Sequence, residues 1–356
     1  MGWRRRGRAT HLSDHCRSVA DRIAICIPVR NEEARLPAMF TALEALDDAT
    51  DRQVEICLLL DTCVDGSAAL CAAYRDRSRH RVTIVAGPAG GSNAGLARDR
   101  AMRIGIAALG EGSGILLTTD ADSRPCPDWL TATVAALAHA DVVAGQVVRE
   151  GSGASDDQDR IDDYHERLFA LRRRIDPVAW EAPVTQPFVS GANIALRVAS
   201  YVALGGFTPL PHGEDARLID DAQRAGLRVR RDAASMVRTS DRRTGRVEHG
   251  LAAALRHVDR SGLSAMTTAH PMDLAWQYRA HAIARQAFAS GAFAMLTSAI
   301  GLDDDHLLGV ARDCPNAEAF AMRVVPVPPG GMRAIPFTMA EAMLARMHDA
   351  EVARAA

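Results

Sequence analysis

The chain has 356 residues, and its 42 Lys and Arg nearly balance 44 Asp and Glu, for a formal net charge of −2. That length suits one large α/β domain with an appendage, or two domains, and the charge gives no general electrostatic grip on a polyanion, so no nucleic acid partner is expected. Seven cysteines (Cys16, Cys26, Cys57, Cys63, Cys71, Cys126, Cys314) are scattered without a CxxC pair. This usage fits buried free thiols in a reducing compartment better than a disulfide framework or a zinc site, and the expected location is cytoplasmic.

Residues 1–21 are basic at the start (Trp3, Arg4, Arg5, Arg6, Arg8), lack the apolar core of a signal peptide and read as a flexible lead-in. IAICIPV (Ile23 to Val29) is a strand pattern, followed by a helix with Pro37, Met39, Phe40, Leu43 and Leu46 on one stripe. VEICLLL (Val54 to Leu60) repeats the strand, Ala68 to Tyr74 is a helix, and RVTIVAG (Arg81 to Gly87) is a third strand. Gly91 to Ala108 is a glycine-rich turn entering a helix, ILLTT (Ile115 to Thr119) a fourth strand, Trp129 to Ala138 a helix, and DVVAGQVV (Asp141 to Val148) a fifth strand. The alternation predicts a mostly parallel sheet covered by helices.

GSGASDDQD (Gly151 to Asp159) then reads as a mobile loop over a site, before a charged helix from Tyr164 to Arg174. Phe188 to Arg197 returns to a strand, Tyr201 to Phe207 is a short helix closed by glycines, His212 to Gly226 is an acidic helix entry and helix, and LRVRRD is an edge strand. From about Gly250 the chain is Ala-rich and mainly helical, with a proline cluster at Val324 to Gly331. Its longest weakly charged stretch, Gln286 to Leu302, is shorter than the roughly 20 apolar residues of a spanning helix. A buried helix is expected there and no transmembrane segment.

Ligands of open α/β sheets sit beyond the carboxyl ends of the strands, so Asp120 and Asp122, two residues apart after ILLTT, are placed to hold Mg²⁺ or Mn²⁺ against a phosphorylated substrate. The alternative is a pair of turn carboxylates capping the next helix. Asp61 after the second strand is either a ligand group or a helix cap, and Asn31 with Glu32 a site or simply a polar helix start. Asn93, Gly95 and Arg98 follow the third strand, where glycine allows close backbone approach and arginine pairs with phosphate. Glu214 and Asp215 open a helix, either as catalytic acids or as favourable charge at its N-terminus.

Taken together, IPVRNEEARLP, LLLDTCVDGS, NAGLARDRA, TTDADSRPCPDWL, VSGANIALR with GGF, and GEDARLIDDAQRAG resemble, in that order, the inverting family 2 glycosyltransferases of GT-A fold. The resemblance runs from Ile23 to Arg246. It implies a GT-A, Rossmann-like α/β fold with a mostly parallel central sheet flanked by helices and a helical C-terminal extension. It implies a catalytic domain over 22–249, split into a nucleotide-binding half (22–150) and an acceptor and catalytic half (151–249), with the extension over 250–356.

Carried residue by residue, the resemblance gives Pro28, Arg30, Asn31, Glu32, Asp61, Asn93, Gly95, Arg98 and Asp120 to the donor nucleotide. Asp122, with Asp120, falls to a divalent metal, Mn²⁺ or Mg²⁺. Gly191, Ala192 and Asn193 fall to the donor and acceptor pocket, and Gly205, Gly206 and Phe207 to the turn closing it. Asp215 stands as general base, with Glu214 second. Arg242, Arg243 and Arg246 reach the diphosphate or form a solvated basic loop. The chain departs from the family's pattern at Thr62 and Cys63, where many relatives carry Asp-Gly or Asn-Asn, and at Arg30, where an aromatic residue is frequent.

The partners so implied are a nucleoside diphosphate sugar and a hydroxyl-bearing acceptor. His212 and His249 stand in no diagnostic motif and read as ordinary surface or core histidines. The rivals are a sugar-phosphate nucleotidyltransferase, whose Gly- and Arg/Lys-rich loop after the first strand is missing, a dehydrogenase, which would need GxGxxG there, and a non-catalytic nucleotide-sugar binding protein. The helical tail suits an acceptor-cleft cover, a homo-oligomer contact or a membrane-surface contact, and its composition favours ordinary helix packing.

Overall fold

The computed structural model describes residues 22–47, 52–90, 92–110, 114–150, 156–240 and 251–355, and the side chains of these except 251–255 and 349–355. The elements run β1 (Ile23–Val29), α1 (Leu36–Glu44), β2 (Val54–Leu60), α2 (Ser67–Arg75), β3 (Arg81–Ala86), α3 (Ala94–Leu109), β4 (Ile115–Thr118), β5 (Ser123–Pro125), α4 (Trp129–Leu137), β6 (Val142–Glu150) and α5 (Asp156–Ile175). They continue with β7 (Ile194–Arg197), α6 (Val198–Ala203), α7 (Glu214–Arg224), β8 (Val229–Ser240), α8 (Leu251–Ser261), β9 (Thr267–Ala269), α9 (Pro271–Ser290), α10 (Ala294–Ile300), α11 (Asp304–Asp313), α12 (Ala317–Val324), β10 (Ala334–Pro336) and α13 (Phe337–Ala355).

Eight strands form one sheet in the order β3-β2-β1-β4-β7-β6-β8-β5. β1 to β4 are mutually parallel, β7 runs antiparallel between β4 and β6, and β6 pairs in parallel with β8. The expected α/β sheet flanked by helices is observed, and the expected predominance of parallel pairing is confined to β1 to β4 and the pair of β6 and β8, with β7 and β5 antiparallel to their neighbours. β1 is apolar at every position because both faces of the sheet are covered. Ile23, Ile25, Ile27 and Val29 point into one core with α1, α2 and α4. Ala24 and Cys26 point into the other with α3, α6 and α7.

Register fixes the site. Val29 pairs with Leu60 and Leu60 with Ala86, so the chain leaves β1, β2 and β3 at one common edge. Thr118 at the end of β4 pairs with Ile194 at the start of β7, so the antiparallel strand brings Gly191 to Asn193 to that same edge.

LRVRRD leads into the twelve-residue β8, and its Val229 to Asp232 pair with β6 alone, an edge as expected, while β5 pairs further along with Val237 to Thr239. Three sequence expectations change. Asp156 to Asp159 belong to the first turn of α5, where three carboxylates complement the helix dipole, so their polarity marks a helix start rather than a loop; 151–155 lie outside the described residues. Phe188 to Asn193 are not strand, because a turn in which the Asn193 N–H donates to the Ser190 carbonyl (2.9 Å) delays β7 to Ile194. The stretch from Gln286 to Leu302 is not one buried helix: Gly291 and Gly301, both at positive φ, end α9 and α10. The three-residue β5 has no pattern of its own in the sequence.

The C-terminal helices build two further cores. One joins α5, α8, α9 and α13, and the other α9 to α12. α12 rests on α7: Asn316 donates to the Gly226 carbonyl (2.7 Å), and Arg224 to that of Met322 (3.2 Å). No described helix is long and apolar enough to cross a membrane. The six described cysteines are free thiols.

Candidate active site

Three loops at the common strand edge form the first cluster. Asp61, 2% exposed, accepts a hydrogen bond from Ser92 Oγ (2.9 Å) and lies 3.9 Å from the exposed Arg30 guanidinium. Ser92 also accepts from Arg100 on α3 (2.5 Å). The loops after β1 and β2 are latched together: Asn31 Oδ1 accepts from the Val64 N–H (2.8 Å), Glu33 from the Gly66 N–H (2.7 Å), and Ser67 Oγ from the Glu32 N–H (2.8 Å).

Asn31 and Thr62 hold φ of 52° and 54°. Asn tolerates this region, whereas a β-branched Thr there is strained by an order of 1–3 kcal/mol, which the surrounding latches must offset. Such strain is common where a loop is shaped for a ligand.

Arg98 forms the second cluster. From the first turns of α3 its Nη1 donates to Asp120 Oδ1 (2.8 Å), the Gly191 carbonyl (2.7 Å) and Thr118 Oγ1 (3.3 Å), while Nε donates to Glu214 Oε1 (3.0 Å). Burial disfavours its charge, but Asp120 and Glu214 outweigh that and push its pKa above the ordinary arginine value. The space is made by Gly191, since a Cβ there would lie 2.3 Å from Arg98 Cζ. One guanidinium thus ties the β4 end, the β7 entry and the start of α7 into one network.

The two acids of α7 differ. Glu214 is 4% exposed and committed to Arg98. Asp215 is half-buried, with Oδ2 accepting from the Gly191 N–H (2.9 Å) and Oδ1 from the Ala216 N–H (2.7 Å). A carboxylate has about four lone-pair sites, so both of its oxygens keep acceptor capacity. Asp120 and Asp122 flank the buried Ala121 between β4 and β5, Asp120 with its side chain 34% exposed.

Several expected site residues also make capping or packing contacts. Asn93 caps α3 by accepting from the Leu96 N–H (2.8 Å) and donates to the Pro209 carbonyl (2.8 Å). Gly95 lies against the same segment, where a Cβ would come within 2.0 Å of the Thr208 carbonyl oxygen. Asn193 is buried, accepts from Trp129 Nε1 (2.9 Å) and donates to the carbonyls of Gln146 and Ser235 (2.9 Å each). Ala192 is buried beside it, and Pro28 is the penultimate residue of β1. Gly205 and Gly206, both at positive φ, turn the chain after α6, and the Phe207 N–H donates to Tyr201 Oη (3.1 Å). Arg242, Arg243, Arg246 and His249 lie outside the described residues; His212 sits exposed just before α7.

Sequence reasoning missed Ser92 and Thr118 and gave Arg98 a ligand rather than two carboxylates. A serine inside the glycine-rich turn GGSNAG, and a threonine ending an otherwise apolar strand, were the available signals. Among the described residues no three His, Cys, Asp or Glu side chains converge as a metal cage.

An α/β sheet with acidic and arginine side chains gathered beyond the carboxyl ends of its parallel strands has the architecture in which a ligand binds in the crevice at those strand ends. Residues 24–199 match the family model Glycosyl transferase family 2, so this stretch is a family 2 domain and the chain that carries it is a glycosyltransferase. The match ends before Glu214 and Asp215. No curated protein matches the sequence.

Among solved structures the fold is similar to S. aureus TarS 1-349 in complex with UDP-GlcNAc (14% identity, TM-score 0.47, 85% of this chain and 90% of that one). It is also similar to the mannosyltransferase PcManGT from Pyrobaculum calidifontis in complex with GDP-Man and Mn²⁺ (17%, 0.48, 86% and 86%). A third is glucosyl-3-phosphoglycerate synthase from Mycobacterium tuberculosis with Mn²⁺, UDP and glucosyl-3-phosphoglycerate (22%, 0.42, 67% and 77%). At these identities and TM-scores the likeness carries no argument about ligands.

Proposed function

We propose that this glycosyltransferase moves a sugar from a nucleoside diphosphate sugar to a hydroxyl acceptor by a single displacement that inverts the anomeric carbon, with a divalent cation, Mn²⁺ or Mg²⁺, at the diphosphate. The observation that carries the reading is the Arg98 network, which sets the acids after β4 and the acids of α7 around one point. A displacement needs one group for the departing diphosphate and another for the attacking hydroxyl, and these two sets of acids supply them from opposite sides of Arg98.

The residues fit a hard cation. Asp120 gives one oxygen to Arg98 and is exposed enough to offer the other, and Asp122 follows two residues on. Two carboxylates without a third protein ligand suit Mg²⁺ or Mn²⁺, which complete their shell with waters and phosphate oxygens. When bound, the cation would neutralise charge developing on the leaving diphosphate. Asp122 is assigned as the direct ligand by its place in the motif, with Asp120 beside it. Asp61 and Arg30 orient the nucleobase, with Pro28, Asn31 and Glu32 shaping that loop, and Arg242, Arg243 and Arg246 are assigned to the diphosphate by motif order alone.

Asp215 acts as the base. It accepts the acceptor hydroxyl proton while that oxygen bonds to the anomeric carbon on the face opposite the diphosphate, a contribution of typically 10²–10⁴-fold in rate. Glu214 is the weaker choice because the buried ion pair with Arg98 occupies it. It positions Arg98. The donor half of the proposal is tested by thermal shift with UDP-, GDP- and dTDP-sugars, with and without Mn²⁺. One donor is expected to raise the melting point with Mn²⁺ and to lose that effect in Asp122→Ala. An identical shift without metal, or in the variant, contradicts the metal assignment.

A further inference from the structure

Away from the strand edge a cavity of 340 Å³ opens among α5, α9, α12, the C-terminal end of α7 and the start of β8. It shares no residue with the site above. Its walls are aromatic and cationic together: Phe169, Trp180 and Tyr278 stand beside Arg172, Arg231 and Arg285. The volume is at the lower end of small-molecule sites, which span about 300–1,000 Å³.

Charge bookkeeping singles out one group. Arg285 pairs with Asp176 and with Glu318 (2.8 Å), and Arg172 with Glu181 (2.7 Å), which also lies 3.7 Å from Arg173. Neighbouring Arg224 and Arg230 have Asp220 and Asp232. Arg231, among the described residues, has no carboxylate in ion-pair range: it donates to the Pro187 carbonyl and lies on the Phe169 ring, 5.2 Å from its centroid. The Arg172 guanidinium is 4.8 Å from the centroid of that ring. Burial, and then the like charge of Arg172, push the Arg231 pKa down to about 10, so it remains cationic at neutral pH. In the lining of the same cavity, His281 Nδ1 is buried without a hydrogen-bond partner, a costly arrangement unless something else fills it.

A half-buried guanidinium without an ion pair, an orphaned imidazole nitrogen and three aromatic walls around one cavity call for the same occupant. We propose that this cavity is a second ligand site, for a small phosphorylated molecule whose phosphate sits between Arg231 and His281 and whose remainder packs on Trp180 and Tyr278. A phosphate supplies the acceptor oxygens that the guanidinium lacks and, as a monoanion, a hydroxyl that meets an imidazole nitrogen. Gln223, on the helix that begins with Asp215, and Pro187, on the segment that leads to Gly191, line the cavity, so an occupant there contacts both segments.

The test uses inorganic phosphate as probe, titrated into the intact protein at constant ionic strength with KCl as the control. Saturable binding is expected, weakened at least tenfold in Arg231→Gln. Hydrogen exchange on the wild-type protein gives a second reading that needs no variant: phosphate should protect α9 around His281 and the start of β8. No saturable binding, equal binding in Arg231→Gln, or protection confined to the loops at Asp61, Ser92 and Asp120 overturns the proposal.

Discussion

Replacing Arg98 with Met removes the charge that joins the two halves of the site and keeps most of the side-chain volume. Arg98 and Glu214 have side chains only 11% and 5% exposed, so the variant leaves the glutamate buried with its charge uncompensated. Breaking such a pair costs about 3–5 kcal/mol. Asp120, at 34%, can turn to water and adds little. The Gly191 carbonyl and Thr118 hydroxyl lose donors at about 1 kcal/mol each. Since neighbouring effects do not add, a total of about 4 kcal/mol is expected from urea denaturation. If the buried charge is the cause, Arg98→Met in a Glu214→Gln background should cost about 2 kcal/mol less than in the wild type. A loss under about 1 kcal/mol in Arg98→Met, or strict additivity in the double variant, would refute the account of Arg98 as the tie between β4, β7 and α7.

Asn193→Ala should lower stability by roughly 2–4 kcal/mol, because Trp129 Nε1 and two buried carbonyls lose their partner; a fully stable variant with altered donor affinity would instead make Asn193 a ligand group. Gly95→Ala places a Cβ 2.0 Å from the Thr208 carbonyl oxygen and should destabilise the protein by roughly 1–3 kcal/mol through displacement of that backbone, read by the same denaturation. Burial, then nearby arginines, push the His281 pKa down to about 4 from its unperturbed value of about 6.5. The unfolded chain therefore binds the extra proton first, and stability should fall as pH drops from about 6.5 towards 4, by roughly 1–3 kcal/mol. His281→Leu should flatten that limb of a melting-point-against-pH curve, and an unchanged slope would contradict the buried neutral imidazole.

The parallel half of the sheet was legible because β1, β2 and β4 are buried, near-continuous apolar runs and polar or glycine residues follow its strands. What stayed hidden depended on tertiary pairing. β8 begins at a sheet edge with charged residues, and no local pattern shows that Asp232 pairs with Arg230 (2.8 Å) or that Arg230 and Arg231 donate to carbonyls of the segment around Trp180 to Pro187. β5 exists only because β8 offers it an edge. In the site, the acids were legible by order and spacing, but the guanidinium that gathers Asp120 and Glu214 was not, since no local pattern shows that α3 and α7 meet across Gly191. The bonds by which Asn93 caps α3 and Asn193 holds Trp129 and two carbonyls also depend on tertiary pairing that their motifs do not show.

The central claim is tested most directly by nucleoside diphosphate release from the donor identified by thermal shift, in the presence of Mn²⁺, comparing wild type with Asp215→Asn. The account predicts a loss of roughly 10²–10⁴-fold in turnover with the donor-induced melting shift retained. Turnover equal to wild type in Asp215→Asn, with Glu214 also replaced by Gln, would contradict it.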